Sequence, residues 1–213
     1  MTSSITVPPA TLSRTSQPGA PEPGMRDTTA VVAPTAEESP PWFAALQRSS
    51  LILATVLVGL AAGFFFTYQI SVTRALAEVD DTTYVDTFQA INSTIRNTPF
   101  GLVFFGAIPA LCAALALHRG DRHRRLAIGI ALVLYVATFA ITAAGSVPLN
   151  DTLGLVTDRS TDAVAQARAD FEQPWNRLNL IRTLTSLGAL VAMSVATLGR
   201  SRDNVVPGTT LSQ

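Results

Sequence analysis

Cysteine occurs once in 213 residues, at Cys112, so no disulfide can close within the chain and no multi-cysteine metal or cluster site can be built. Histidine occurs only at His118 and His123, and lysine not at all. Every base is an arginine, 15 of them against 15 acids, a usage expected of a high-GC bacterial source. The zero balance removes any global pull toward nucleic acid or an acidic substrate, and no nucleic-acid partner is expected. Charge itself is scarce: 14% of residues carry one, 48% are apolar, and the mean hydropathy is +0.33. That combination argues against a simple soluble globule.

Eight of the 13 prolines lie in residues 1–41, among Ser, Thr and Ala, without an apolar run as long as a signal-peptide core. Such a segment cannot offset the cost of ordering its backbone, about 1–2 kcal/mol per residue, and reads as a disordered cytoplasmic tail. The first apolar span is then expected to act as the membrane signal, and 201–213 reads as a flexible C-terminal tail. Between them, in 42–200, four stretches have the roughly 20 residues that a bilayer core demands. They cover 50–70, 99–118, 126–145 and 178–198; none holds an acid, and only the last holds a base, Arg182. The alternation of lipid-facing strands is missing from all four. The expected fold is all-α: an integral membrane four-helix bundle, up-down, with helical extensions on the outer side.

The connector from Arg119 to Arg125 packs four arginines into seven residues and should stay cytoplasmic. Arg48, Arg200 and Arg202 agree, which predicts a multi-pass cell-membrane protein with both termini cytoplasmic. On the outer side the first helix should run on to Ala77. A short helix is expected over 83–96, with Phe88, Ile91 and Ile95 on one face, and a polar helix over 161–172 should end at Pro174. Small residues recur every fourth position at Gly59 and Gly63, at Gly106, Ala110 and Ala114, and at Gly188, Ala192 and Ala196. These stripes suit close packing inside one bundle or a homo-oligomer interface.

Polar residues gather where the spans meet the outer loops. Asn92 and Asn97 precede the second span, Asn150 and Asp151 follow the third, and Trp175, Asn176, Asn179 and Arg182 open the fourth. Trp175, Asn179, Arg182 and Ser186 are separated by 4, 3 and 4 residues and share a helix face. Arg182 lies about one turn inside apolar sequence, where an unpaired charge costs several kcal/mol, so it needs a partner. Asp151 is the nearest acid by topology; Asp80, Asp81, Asp86, Asp170 and Glu172 are the alternatives. The cluster could stitch helix ends together, or it could receive an anionic or enolisable aromatic ligand.

Several membrane chemistries lack their residues. Haem bundles need histidines within the spans, and both histidines here flank the basic connector. Quinone-linked thiol enzymes need cysteine pairs, and proton-coupled transporters an acid in the membrane. No phosphate-cradling glycine loop, zinc spacing or nucleophile elbow is present.

Four blocks resemble the anthrone-oxygenase-like family of small membrane proteins. The first is Gly59 to Gly63 followed by Phe64, Phe65, Phe66, Thr67 and Tyr68, then Ala75 and Leu76. The second is Phe88 to Asn92 with Asn97, Pro99 and Phe100; the third is Val147, Pro148, Leu149, Asn150 and Asp151; the fourth is Trp175, Asn179, Arg182 and Thr183. The resemblance covers about 51–198 and implies four spans. It also implies kinship with enzymes that oxidise anthrones to anthraquinones with dioxygen, using no metal or organic cofactor. The resemblance carries over no catalytic residue set; for such a reaction the residues of the polar cluster suggest that Arg182 with Asn179 or Asn150 would stabilise a ring oxyanion, Asp151 would accept the proton, and Trp175 would stack on the polycycle, with Asn92 and Asn97 also lining the ligand site. The partners implied are the lipid bilayer, a hydrophobic aromatic molecule and dioxygen. The alternative is a non-catalytic membrane protein, an assembly partner or a binder of lipid or hydrophobic metabolites.

Overall fold

The structure, a computed structural model, describes residues 40–199. The two tails expected to be disordered lie outside the described residues, apart from Pro40 and Pro41. Pro41 in fact opens the first helix, where a missing N–H costs nothing. The described chain is all-helical, and four of its helical rods are long and apolar enough to cross a membrane: Pro41–Ala77, Thr98–Leu117, Arg122–Gly154 and Thr161–Leu198. This is a multi-pass membrane protein.

The first rod joins α1 (Pro41–Thr67) through a π-helical turn at Tyr68–Val72 to α2 (Thr73–Ala77). Helix α3 (Asp81–Ile95) follows, capped by Asp80, whose carboxylate accepts the Thr83 amide at 3.0 Å. Helix α4 (Thr98–Leu117) is capped by Asn97 and runs unbroken through Pro109. Helix α5 (Arg122–Ile141) is capped by Asp121 and passes through a second π-helical turn, Thr142–Ser146, into α6 (Val147–Gly154). The sequence places the end of this span at Gly145 and Pro148 in the connector that follows. The wider turn instead places Pro148 at the start of a new α segment, where no N–H is required of it.

Helix α7 (Thr161–Leu198) is one 38-residue rod, not a polar helix stopped at Pro174 and followed by a span. Proline removes one backbone bond, but Phe171 and Trp175 on either side of it pack into a single aromatic cluster with Phe88 and Tyr84. Tertiary packing holds both halves of the helix through the missing bond.

Two packed regions result. In the first, α1, α4, α5 and α7 bury Phe65, Phe104, Leu111, Ile128, Tyr135 and Met193 among alanines. Three glycines of these stripes serve this packing, since a Cβ at Gly59 would touch Leu190, one at Gly106 Leu57, and one at Gly188 Leu134, whereas at Gly63 nothing lies within 4 Å. Tyr135 donates to the Phe104 carbonyl at 3.1 Å, and Thr138 meets Thr185 at 2.7 Å, tying α5 to α4 and α7. The second region joins α2, α3, α6 and the first half of α7 around Tyr84, Val85, Phe88, Leu153, Phe171 and Trp175. Arg168 fastens it, pairing with Glu172 at 2.8 Å and Asp81 at 3.1 Å and donating to the Val79 carbonyl at 2.7 Å. Gln89 clips α3 to the end of α6 through the Leu153 and Val156 carbonyls.

Candidate functional site

Where the two packed regions meet, α3, α4, both π-helical turns and α7 enclose a cavity of about 400 Å³. Six aromatic rings form part of its walls, those of Phe88, Phe100, Phe104, Phe105, Tyr68 and Trp175. Phe88 and Trp175 meet edge to face at 4.9 Å, Tyr68 lies 5.6 Å from Trp175, and Phe100 stacks on Phe104 at 5.5 Å. The π-helical turns matter here because each adds a residue to its turn and re-aims the side chains beside it. One carries Tyr68 and the other Thr142, and both line the cavity.

Arg182 forms the polar floor. It is 5% exposed, lines the cavity, and sits among π faces, its guanidinium carbon 4.8 Å from the Phe65 ring centroid and 5.1 Å from that of Trp175. One terminal nitrogen donates to Asn179 Oδ1 at 3.3 Å, while Nε is buried without a partner. The expected acid is not there. Asp151 pairs with Arg96 at the rim, with side chains 56% and 66% exposed, and Asp81 and Glu172 are held by Arg168 and Asp86 by Arg159. Among the described residues no carboxylate lies within ion-pair distance of Arg182. Two cation–π contacts contribute about 0.5–2 kcal/mol each, less than the several kcal/mol that burial of an uncompensated charge costs.

Of the residues expected at the site, Asn92, Asn97, Asn150, Trp175 and Arg182 all line this one cavity. Their uses differ. Asn92 Nδ2 is buried without a partner. Asn150 Oδ1 accepts the Trp175 indole N–H at 2.9 Å and so fixes the ring. Asn97 spends both ends of its amide on its own backbone, accepting from the Phe100 amide and donating to the Thr94 carbonyl, each at 2.9 Å, which makes it a helix cap at the mouth. Asn179 is fully buried behind Arg182 and outside the lining; its Nδ2 reaches Gln69 Oε1 at 3.1 Å and the Phe65 carbonyl at 3.4 Å, so it orients Arg182. Asp151 is outside the lining as well. The sequence reading missed Tyr68, Arg96 and Thr142. Tyr68 and Thr142 depend on the π-helical turns, which leave no periodicity signal; Arg96 adjoins Asn97, and that proximity was the available clue.

Neither Asp, Glu nor His lines the cavity, and among the described residues no three His, Cys, Asp or Glu side chains come together as metal ligands. The arrangement is an aromatic slot with a buried cation at its floor and amides on its walls, chemistry suited to a flat ligand bearing a negative or strongly accepting oxygen.

Residues 96–192 match the family model described as anthrone oxygenase. That match covers 97 of the 213 residues. It includes Arg96, Asn97, Asn150, Asp151, Trp175, Asn179 and Arg182, while Tyr68, Phe88 and Asn92 precede it. No curated protein and no solved structure matches the chain.

Proposed function

We propose that the protein is a membrane oxygenase that converts an anthrone, or a closely similar polycyclic aromatic ketone, to its quinone with dioxygen and no cofactor. The observation that carries the reading is Arg182, a buried guanidinium with no carboxylate in ion-pair distance among the described residues, facing an aromatic cavity. An anthrone's central methylene is acidic because its anion delocalises onto the ring oxygen, and that oxygen is the missing anion. Arg182, oriented by Asn179, would stabilise it, with the Asn92 and Asn150 amides as further donors. Trp175, fixed by Asn150, and Phe88 would hold the polycycle flat.

The reaction then balances without further reagents. The methylene loses a proton, and the anion passes one electron to dioxygen. The resulting carbon radical and superoxide combine to a peroxide at that carbon, which takes up a proton. Loss of water across the C–H and O–O bonds leaves the second carbonyl, so one oxygen atom enters the product and the other leaves as water. Because no carboxylate lines the cavity, the first proton leaves through water at the mouth, where Asp151 stands beside Arg96. Outer-side placement of this mouth follows from the positive-inside reading of the Arg119–Arg125 connector.

The lack of an internal carboxylate also favours a second reading, a non-catalytic binder of hydrophobic metabolites. Oxygen-dependent conversion of an anthrone, followed by absorbance and corrected for spontaneous oxidation, separates them. Wild type should accelerate conversion, Arg182→Gln should lose roughly a hundredfold or more, and Asp151→Asn should lose far less than the roughly hundredfold or more of a general base in contact with its substrate, because Asp151 stands at the exposed rim. A wild type no faster than the uncatalysed rate leaves the binder.

A further inference from the structure

A second groove lies at the other end of the bundle, beside the α4–α5 connector. Arg122, Arg125, Leu126, Gly129, Ile130 and Val133 follow one another at spacings of 3, 1, 3, 1 and 3 and so form one stripe along α5. Together with Leu115 of α4 and Leu134 they line a groove of about 640 Å³. Leu126, Ile130 and Val133 are exposed, and nothing lies within 4 Å of where a Cβ at Gly129 would stand, so the missing side chain leaves the channel open at its middle. The arginines at its head are both exposed and have no ion-pair partner among the described residues. Their neighbour Arg124 behaves differently: it bonds the Ala196 and Gly199 carbonyls and lies 3.8 Å from Asp121.

We propose that this groove is a binding site for one anionic phospholipid, its phosphate held by Arg122 and Arg125 and one acyl chain laid along Leu126, Gly129, Ile130 and Val133. Three features favour that occupant. Two guanidiniums with no acid among the lining residues complement a phosphate, and a headgroup of net negative charge satisfies them better than a zwitterionic one. The apolar part of the stripe, Leu126 to Val133, spans about 10 Å at 1.5 Å per residue, roughly two thirds of one leaflet of a hydrocarbon core about 30 Å thick. The groove therefore takes the upper part of a chain in one leaflet, with the arginines at the headgroup. The inference stands apart from the cavity around Arg182 and does not depend on the reaction.

The test uses the full-length protein, purified in a neutral detergent, delipidated and titrated with phosphatidylglycerol or phosphatidylcholine. Native mass spectrometry reads the fraction carrying one lipid, and circular dichroism confirms helix content in every variant. Wild type should retain phosphatidylglycerol at least about fivefold better than phosphatidylcholine, on the scale of roughly fivefold per arginine. The paired substitution Arg122→Gln and Arg125→Gln should abolish that preference. Gly129→Leu fills the channel with the charges intact and should lower phosphatidylglycerol retention about threefold or more. Arg119→Gln, in the same connector but outside the groove, should change nothing. Equal retention of the two lipids by wild type overturns the proposal. So does an Arg119→Gln effect as large as that of the pair, which would mean diffuse surface charge, or a Gly129→Leu variant that binds as wild type does. The two groove variants act by different means, so loss of fold in one leaves the other to decide.

Discussion

Arg182 lies buried beneath the aromatic cavity, one terminal nitrogen on Asn179 and its Nε without a partner among the described residues. Its position within an apolar stretch marks it as expensive, and the helical spacing to Trp175 and Asn179 is borne out in the contacts among the three side chains. What the sequence could not show is that its partner would be absent. Topology pointed to Asp151, but Asp151 and Arg96 both sit at the water-exposed rim, where an ion pair forms without desolvating either group. Asn97 looked like a ligand residue for a similar reason: a cap and a binding amide are the same residue type, and only the hydrogen bonds tell them apart. A buried charge kept for a ligand should weigh against stability. Arg182→Gln is therefore expected to unfold in detergent at or above the wild-type Tm. A Tm lower by more than a few degrees would make Arg182 a structural anchor.

At the scale of elements, the four spans were legible because length and hydropathy are enough to mark a bilayer crossing. Their ends were not. The π-helical turns at Tyr68–Val72 and Thr142–Ser146 extend α1 and α5 past the apolar windows, and packing around Phe171 and Trp175 carries α7 through Pro174. Gly145 of the second π-helical turn is closely approached by Leu178. A Cβ at Gly145 would lie 2.8 Å from one Leu178 methyl and 3.2 Å from the other, and the half-buried leucine can turn aside. Gly145→Val should displace the Leu178 side chain at the low end of the cost of overpacking, roughly 1 kcal/mol, read as a lower unfolding midpoint. Helix α3 provides a second test, because it supplies Phe88 and Asn92 to the cavity and ends just before Arg96. Its cap, Asp80, is held below the usual carboxylate range by hydrogen bonds from the Thr83 hydroxyl and amide. A carboxyl more acidic folded than unfolded contributes stability that is complete above its unfolded value, about 4, and is lost as pH falls through the folded one. Amide exchange across α3 should quicken, relative to the intrinsic rate, as pH drops below about 4. Asp80→Asn, which can cap without titrating, should flatten that trend.

On the scale of the whole molecule, the chain is a set of membrane-crossing rods with a cavity toward one end and an arginine-headed groove toward the other. Cys112, exposed on α4, reports on the membrane. A membrane-impermeant maleimide should leave it unlabelled in intact vesicles and label it after denaturation in SDS; equal labelling in both states would place α4 outside the hydrocarbon. The account as a whole rests on an anion arriving where the protein keeps an unanswered cation. The direct measurement is made without oxygen: an anthrone is mixed with the purified protein near neutral pH, and absorbance is scanned for the anion. Wild type should show the anion's band, because Arg182 lowers the cost of ionising the bound ligand, and Arg182→Gln should bind the anthrone without the band. An anthrone that binds to wild type as the neutral ketone, or that ionises equally in both proteins, would contradict the role assigned to Arg182.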